Sequence, residues 1–180
     1  MNNQIDKTDV PEGSQISTAL VNVYYQDAHR FLTTYKERSA LQVWLAHATS
    51  TPAWINFLMA VRNKVVSLLG LKDLGNFADK LNEKSAEEYR VGDRIGIFIL
   101  LFLSENEVIL GDSDKHLDVK ISIYIEDKAG ENSNLVTIST LVHVHNLLGK
   151  VYMLFVAPIH KVIVPATIRR AEFGVTSKNS

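Results

Sequence analysis

From Leu117 to Ile125 the chain alternates without a break, with Leu117, Val119, Ile121, Ile123 and Ile125 at one parity and Asp118, Lys120, Ser122 and Tyr124 at the other. Leu135 to Asn146 repeats the pattern, with Val136, Ile138, Thr140, Val142 and Val144 on the inner side. Successive side chains of a strand point to opposite faces, so this period predicts two strands, each buried on one face only. One-sided burial belongs to antiparallel sheets, and the polar stretch Asp127 to Asn134 joins the two as a hairpin. An apolar sheet face must be covered, and the cover is encoded directly downstream. From Leu147 the period lengthens, and Tyr152, Phe155, Ile159, Val162, Ile163 and Ala166 trace a helical stripe. Proline removes a helical hydrogen bond and bends the axis. Pro158 therefore predicts a kink between segments Leu148 to Val156 and Pro158 to Phe173, with Pro165 threatening a second bend.

Upstream, a first strand is predicted over Ala28 to Thr33. Ser39 caps a helix that runs to Ala48, with Leu41, Trp44, Leu45 and Ala48 on its apolar side. Thr51 and Pro52 start a second helix whose face carries Trp54, Phe57, Leu58, Val61, Val65, Leu68 and Leu69, and Gly70 stops it. Ile95 to Leu103 is apolar at both parities, which predicts a strand covered on both sides. Either the fold covers it or a homodimer does, through Phe98, Leu100 and Phe102. Val108 to Gly111 pairs with it across the Ser104–Asn106 turn. Helices and strands are segregated along the chain, so the fold class is α+β: an antiparallel sheet curved around a long, kinked C-terminal helix.

The 180 residues suffice for one core, assigned to a single domain over 19–173, with polar ends at 1–18 and 174–180 read as disordered. Nineteen basic residues stand against twenty acidic ones without a basic stripe, which excludes nucleic acid as a partner. No basic polar face suggests a membrane anchor, and the longest apolar run, Ile95 to Leu103, is far short of the ~20 residues of a membrane span. The chain has no cysteine and no cationic, apolar leader, so the cytoplasm is the expected location. It also lacks a Gly-x-Gly-x-x-Gly, a nucleophile elbow and a phosphate loop, and no cofactor is expected.

Four side chains could approach a zinc ligand set: His116 and Asp118 on one strand, His143 and His145 on the next. They fall on the polar face of their strands, so a solvated surface is the preferred reading and no metal is assigned. Tyr152 and His160 lie eight residues apart on the C-terminal helix, where His160 could serve as a base or as a cap at the kink. Arg62 sits at the edge of the apolar face of its helix, where a guanidinium could hold a carboxylate.

Three segments together resemble a known pattern: Pro52-Ala53-Trp54 with Arg62-Asn63 and Gly70-Leu71-Lys72; Gly111 to Asp118, ending His116-Leu117-Asp118; and Asn146 to His160, with Gly149, Tyr152, Pro158 and His160. Over residues 20 to 172 the chain is similar to a bacterial family of domains of unknown function, sometimes attached behind a short-chain-dehydrogenase-like domain. The resemblance implies a START-like, helix-grip fold, whose relatives enclose a cavity for apolar or amphipathic ligands. It implies no reaction and no redox cofactor. The expectation is a module that binds a small hydrophobic or amphipathic ligand, with Arg62, Tyr152, His160, His116 and Asp118 as candidate contacts. The alternatives are an enzyme using the same pocket and a ligand-free interaction domain.

Overall fold

The structure is a computed structural model that describes residues 4–33, 37–50, 84–127 and 133–174. Its elements are β1 (Asp6–Lys7), β2 (Tyr25–Thr33), α1 (Ala40–Thr49), β3 (Arg94–Ile95), β4 (Phe98–Leu103), β5 (Glu107–Ser113), β6 (Leu117–Asp127), β7 (Asn134–Val144) and α2 (Leu147–Ile168). A π-turn, Arg169–Phe173, closes α2. The strands make one open antiparallel sheet in the order β1-β2-β7-β6-β5-β4-β3. The fold is α+β, with the long C-terminal helix set against the sheet. The predicted helix from Thr51 to Gly70, including Arg62, lies outside the described residues.

The alternation in β6 and β7 holds in register. Ile121 faces Thr140, Ile123 faces Ile138 and Ile125 faces Val136, so these pairs share the inner face. Both helices approach that face, α1 over β5 and β6, α2 over β2. The main core gathers Leu41, Trp44, Phe98, Leu100, Leu110, Ile123, Val136 and Ile168. Trp44 meets Phe98 edge to face, with 6.4 Å between ring centroids. The start of α1 is fixed by a reciprocal capping box: Gln42 N donates to Ser39 Oγ, and Ser39 N donates to Gln42 Oε1. A cap of this kind is worth about 1 kcal/mol.

Three expectations change. The apolar stretch Ile95 to Leu103 is a tight hairpin rather than one strand. Ile95 pairs with Phe98 across Gly96 and Ile97, and Gly96 has φ 60°, the positive first position of a two-residue hairpin turn. A bulge between Leu100 and Phe102 then shifts the parity. Phe98, Leu100 and Leu103 thus reach the main core, while Phe102 packs on the opposite face with Ile109 and Leu141. The fold itself covers Phe98 and Leu100, while Phe102 is half-buried on the outer face.

The second change is in α2, which runs unbroken through Pro158 and Pro165 instead of dividing into two segments. Each proline costs one bond, to the carbonyl of Leu154 or of Lys161. Both of those residues are exposed, and the remaining ladder carries the helix across. The third is at the N-terminus. Residues 4–18, expected to be disordered, are part of the fold. Lys7 pairs with His29 at the sheet edge, and Ile16 is buried on the outer face with Val10, Ala28, Ile109 and Leu141. Glu107 anchors this strap: its carboxylate accepts from the amides of Gln15 (2.5 Å) and Ile16 (3.2 Å) and from Ser122 Oγ (2.7 Å).

Candidate functional site

Strand β2 differs from its neighbours on the inner face. Its inward residues are Tyr25, Asp27, His29, Phe31 and Thr33, paired in register with Val142, Thr140, Ile138, Val136 and Asn134 of β7. Asp27, His29 and Thr33 are all buried. Helix α2 lies along this stripe, and two contacts fix its direction. His160 reaches Asp27, and Glu172, twelve residues on, reaches Thr33, six residues on. Twelve helical residues rise about 18 Å and six strand residues about 20 Å, so helix and strand run side by side in the same sense.

The first contact is a cluster. Asp27 Oδ2 accepts from Tyr25 Oη at 2.9 Å and lies 3.1 Å from His160 Nδ1. The Tyr25 and His160 rings meet edge to face at 6.2 Å. Burial pushes the Asp27 carboxyl up, but the bond and charge of His160, the Tyr25 hydroxyl and His29 outweigh it and hold the group below its ordinary value. Asp27 is therefore an acceptor only, which places the shared proton on His160 Nδ1. Burial, then the charge and the bond of Asp27, raise the Tyr25 phenol, which stays protonated. Burial also lowers His29, with help from His160 and Lys7 and against the pull of Asp27, so His29 is neutral at pH 7.

The cluster is incompletely satisfied. Among the described residues, Asp27 Oδ1 and His29 Nδ1 are buried without a hydrogen-bond partner. Unmet buried polar atoms are rare because each costs about 1–3 kcal/mol. These two lie at neighbouring inward positions of β2, while His47 Nδ1 and His116 Nε2 are unmet elsewhere. The side chain of Asp27 is only 3% exposed, whereas that of His160 is 23% exposed. The pair therefore runs from a sealed carboxylate to an accessible imidazole, an arrangement able to hold a ligand donor or to pass a proton.

The second contact is sealed. Glu172 Oε1 lies 3.1 Å from His47 Nε2, and Glu172 Oε2 accepts from Thr33 Oγ1 at 2.8 Å. The His47 ring stacks at a tilt on Phe31, 5.5 Å between centroids. This contact joins the end of α1 to the π-turn after α2.

Of the residues singled out by sequence, His160 stands in the cluster. Tyr152 is half-buried on α2, about 12 Å earlier along its axis, and Asp27, not Tyr152, is the partner of His160. His116 belongs to a joint at the end of the sheet. Its Nδ1 lies 3.1 Å from Asn146 Oδ1, and Asn146 caps α2 by accepting from Gly149 N. A Cβ on Gly149 would stand 2.5 Å from His116 O, so only glycine allows this approach. Asp118 points to the outer face, opposite His143 in register and 3.1 Å from His145 Nε2, with Ser113 Oγ donating to it. Burial raises the Asp118 carboxyl, but Ser113 and the two histidines together hold it low. His143 Nε2 is 3.1 Å from Val21 O. The anticipated neighbours do meet, but among the described residues no group of three or more His, Cys, Asp or Glu is arranged to hold a metal ion. Sequence reasoning missed Tyr25, Asp27, His29 and Glu172. The signal was the two-residue spacing Tyr25, Asp27, His29, Phe31, Thr33, hidden because the apolar criterion started this strand at Ala28.

The geometry of the His160 segment and the His116–Gly149 joint falls within a single family match. A family profile described as a protein of unknown function, DUF2867, matches residues 19–167. The chain belongs to the DUF2867 family. The match spans Tyr25, Asp27, His29 and His160, while Glu172 and the strap up to Thr18 lie outside it. No curated protein and no solved structure matches the chain.

Proposed function

We propose that this DUF2867 member is a START-like small-molecule-binding domain. Its ligand enters the groove between the inner face of β2 and α2 and places a hydrogen-bonding polar end at Asp27 and His29. The supporting observation is the pair of buried, unpartnered atoms, Asp27 Oδ1 and His29 Nδ1, beside an otherwise satisfied cluster. An ionised carboxylate asks for a donor, so the polar end is a hydroxyl or an amine, and a bond to a charged acceptor is about twice as strong as a neutral one. The Val and Ile of β6 and β7 on the same sheet face suit the apolar remainder of an amphipathic molecule.

Native mass spectrometry of the purified chain, followed by organic extraction, tests the reading. The expected result is a stoichiometric amphipathic compound bearing a hydroxyl or amine, retained by the parent and lost from Asp27→Asn with the fold intact. Equal retention by Asp27→Asn removes the assigned site. A second reading, proton-transfer catalysis, is favoured by one observation: Asp27 holds His160 by Nδ1 and leaves the ring partly exposed. It requires His160→Asn to keep the compound but abolish its conversion.

A further inference from the structure

Helix α2 is apolar on two opposite sides. One side packs inward through Met153, Val164 and Ile168. The other presents Leu147, Val151, Leu154, Phe155, Ile159 and Val162 outward, with Leu147 76%, Leu154 71% and Phe155 67% exposed. At 100° per residue these six form one continuous stripe, and a helix apolar all round is one that something else covers. Leu147–Glu172 is long and apolar enough to cross a membrane, yet its inward side is committed to the sheet through the His160–Asp27 and Glu172–Thr33 contacts. Crossing would strip those buried groups into hydrocarbon, whereas lying in the plane of a surface leaves them untouched.

Charge selects the occupant. From Leu147 to Ala171 the sequence contains no acidic residue, while Lys150, Lys161, Arg169 and Arg170 are exposed. Lys150 and Lys161 border the stripe on one side. A second copy docked about a two-fold axis would bring Lys150 of each chain toward Lys161 of the other with no carboxylate on the helix to answer them. An anionic bilayer answers all four cations and accepts Leu154 and Phe155 below its headgroups. We infer that α2 is an in-plane docking helix for an anionic lipid surface, inserting Leu147, Val151, Leu154, Phe155, Ile159 and Val162 while Lys150, Lys161, Arg169 and Arg170 meet lipid phosphates. The basic face that the linear sequence did not reveal is assembled by the helix.

The test is cosedimentation of the full chain with vesicles of phosphatidylcholine alone and of phosphatidylcholine with phosphatidylglycerol. Binding is expected to the mixed vesicles, to weaken as salt is raised, and to fall at least about tenfold in Leu154→Gln/Phe155→Gln. Lys150→Gln/Lys161→Gln should lose the preference for the anionic vesicles. Circular dichroism of each variant confirms the fold, since all four side chains are exposed. No sedimentation with either vesicle, equal binding to both, or full binding by Leu154→Gln/Phe155→Gln overturns the inference. So does a dimer in vesicle-free solution that Leu154→Gln/Phe155→Gln dissociates, because a second copy then covers the stripe.

Discussion

The two acid–histidine pairs beneath α2 use the same chemistry to opposite ends. Glu172 has a partner on each oxygen, and its side chain and that of His47 are 3% and 7% exposed. Asp27 puts two partners on one oxygen and leaves the other unmet, and its histidine is partly exposed. A carboxylate with both oxygens answered, from two other elements, is a fastener. A buried carboxylate with one oxygen unmet stabilises the fold less, and it is where the proposed ligand would donate. The difference lies in which oxygens are filled, not in residue type or burial.

Four measurements would break or sharpen that contrast. The largest effect belongs to the fastener: Glu172→Ala removes the acceptor of Thr33 Oγ1 and the partner of His47 Nε2 and should cost about 3 kcal/mol in urea unfolding. A loss under about 1 kcal/mol would mean that the sealed pair does not hold α2 down. Next, Gly149→Ala drives a methyl into His116 O and Val144 and should cost about 2 kcal/mol by overpacking, without changing ligand retention. If retention fell instead, the His116 joint would be part of the site. Third, Asp27→Asn should change the stability of the empty protein by no more than about 1 kcal/mol, because the wild-type carboxylate is already half unsatisfied. A loss as large as that of Glu172→Ala would erase the distinction.

The smallest effect is in the pH dependence. His29 has a folded value below its ordinary 6.5. On acidification the unfolded chain binds that proton first, so stability present above pH 6.5 declines as pH falls through the lowered value. The Asp27 contribution has the same sign but is lost only below its ordinary 3.8. Thermal melts of His29→Asn against the parent should therefore show a shallower decline starting near pH 6.5, with the steeper loss at lower pH retained. Parallel curves would show that His29 is not held neutral by its burial.

What the sequence disclosed follows from how local each signal is. Ser39 with Gln42, and the strict alternation of β6 and β7, are statements about neighbours, and each appears as read. The stretch from Ile95 failed because composition there is uniform: apart from Gly96, Ile, Phe and Leu fill every position to Leu103 and carry no parity. A positive φ at Gly96 and a bulge at Leu101 then decide which face each residue takes. The prolines of α2 misled because a lost bond is local while the helix is held by contacts along its length. The site was half legible. His160 stood out on its helix, but Asp27 lies 133 positions away, and only the sheet order that sets β2 beside β7 under α2 brings the two together.

The strap along the outer face bears on how this fold behaves when shortened. A chain begun at residue 19, where the family match starts, would lose Ile16 and the two amides that hold the Glu107 carboxylate. Val10 and the edge strand β1 would go with it, opening Ile109 and Leu141 to water and laying bare the backbone of β2 as a sheet border. An unprotected border beside a wetted apolar face is a template for cross-chain pairing. The shortened protein should therefore precipitate or assemble into sheets where the longer one stays dispersed, even though every residue of the Asp27–His160 cluster is still present.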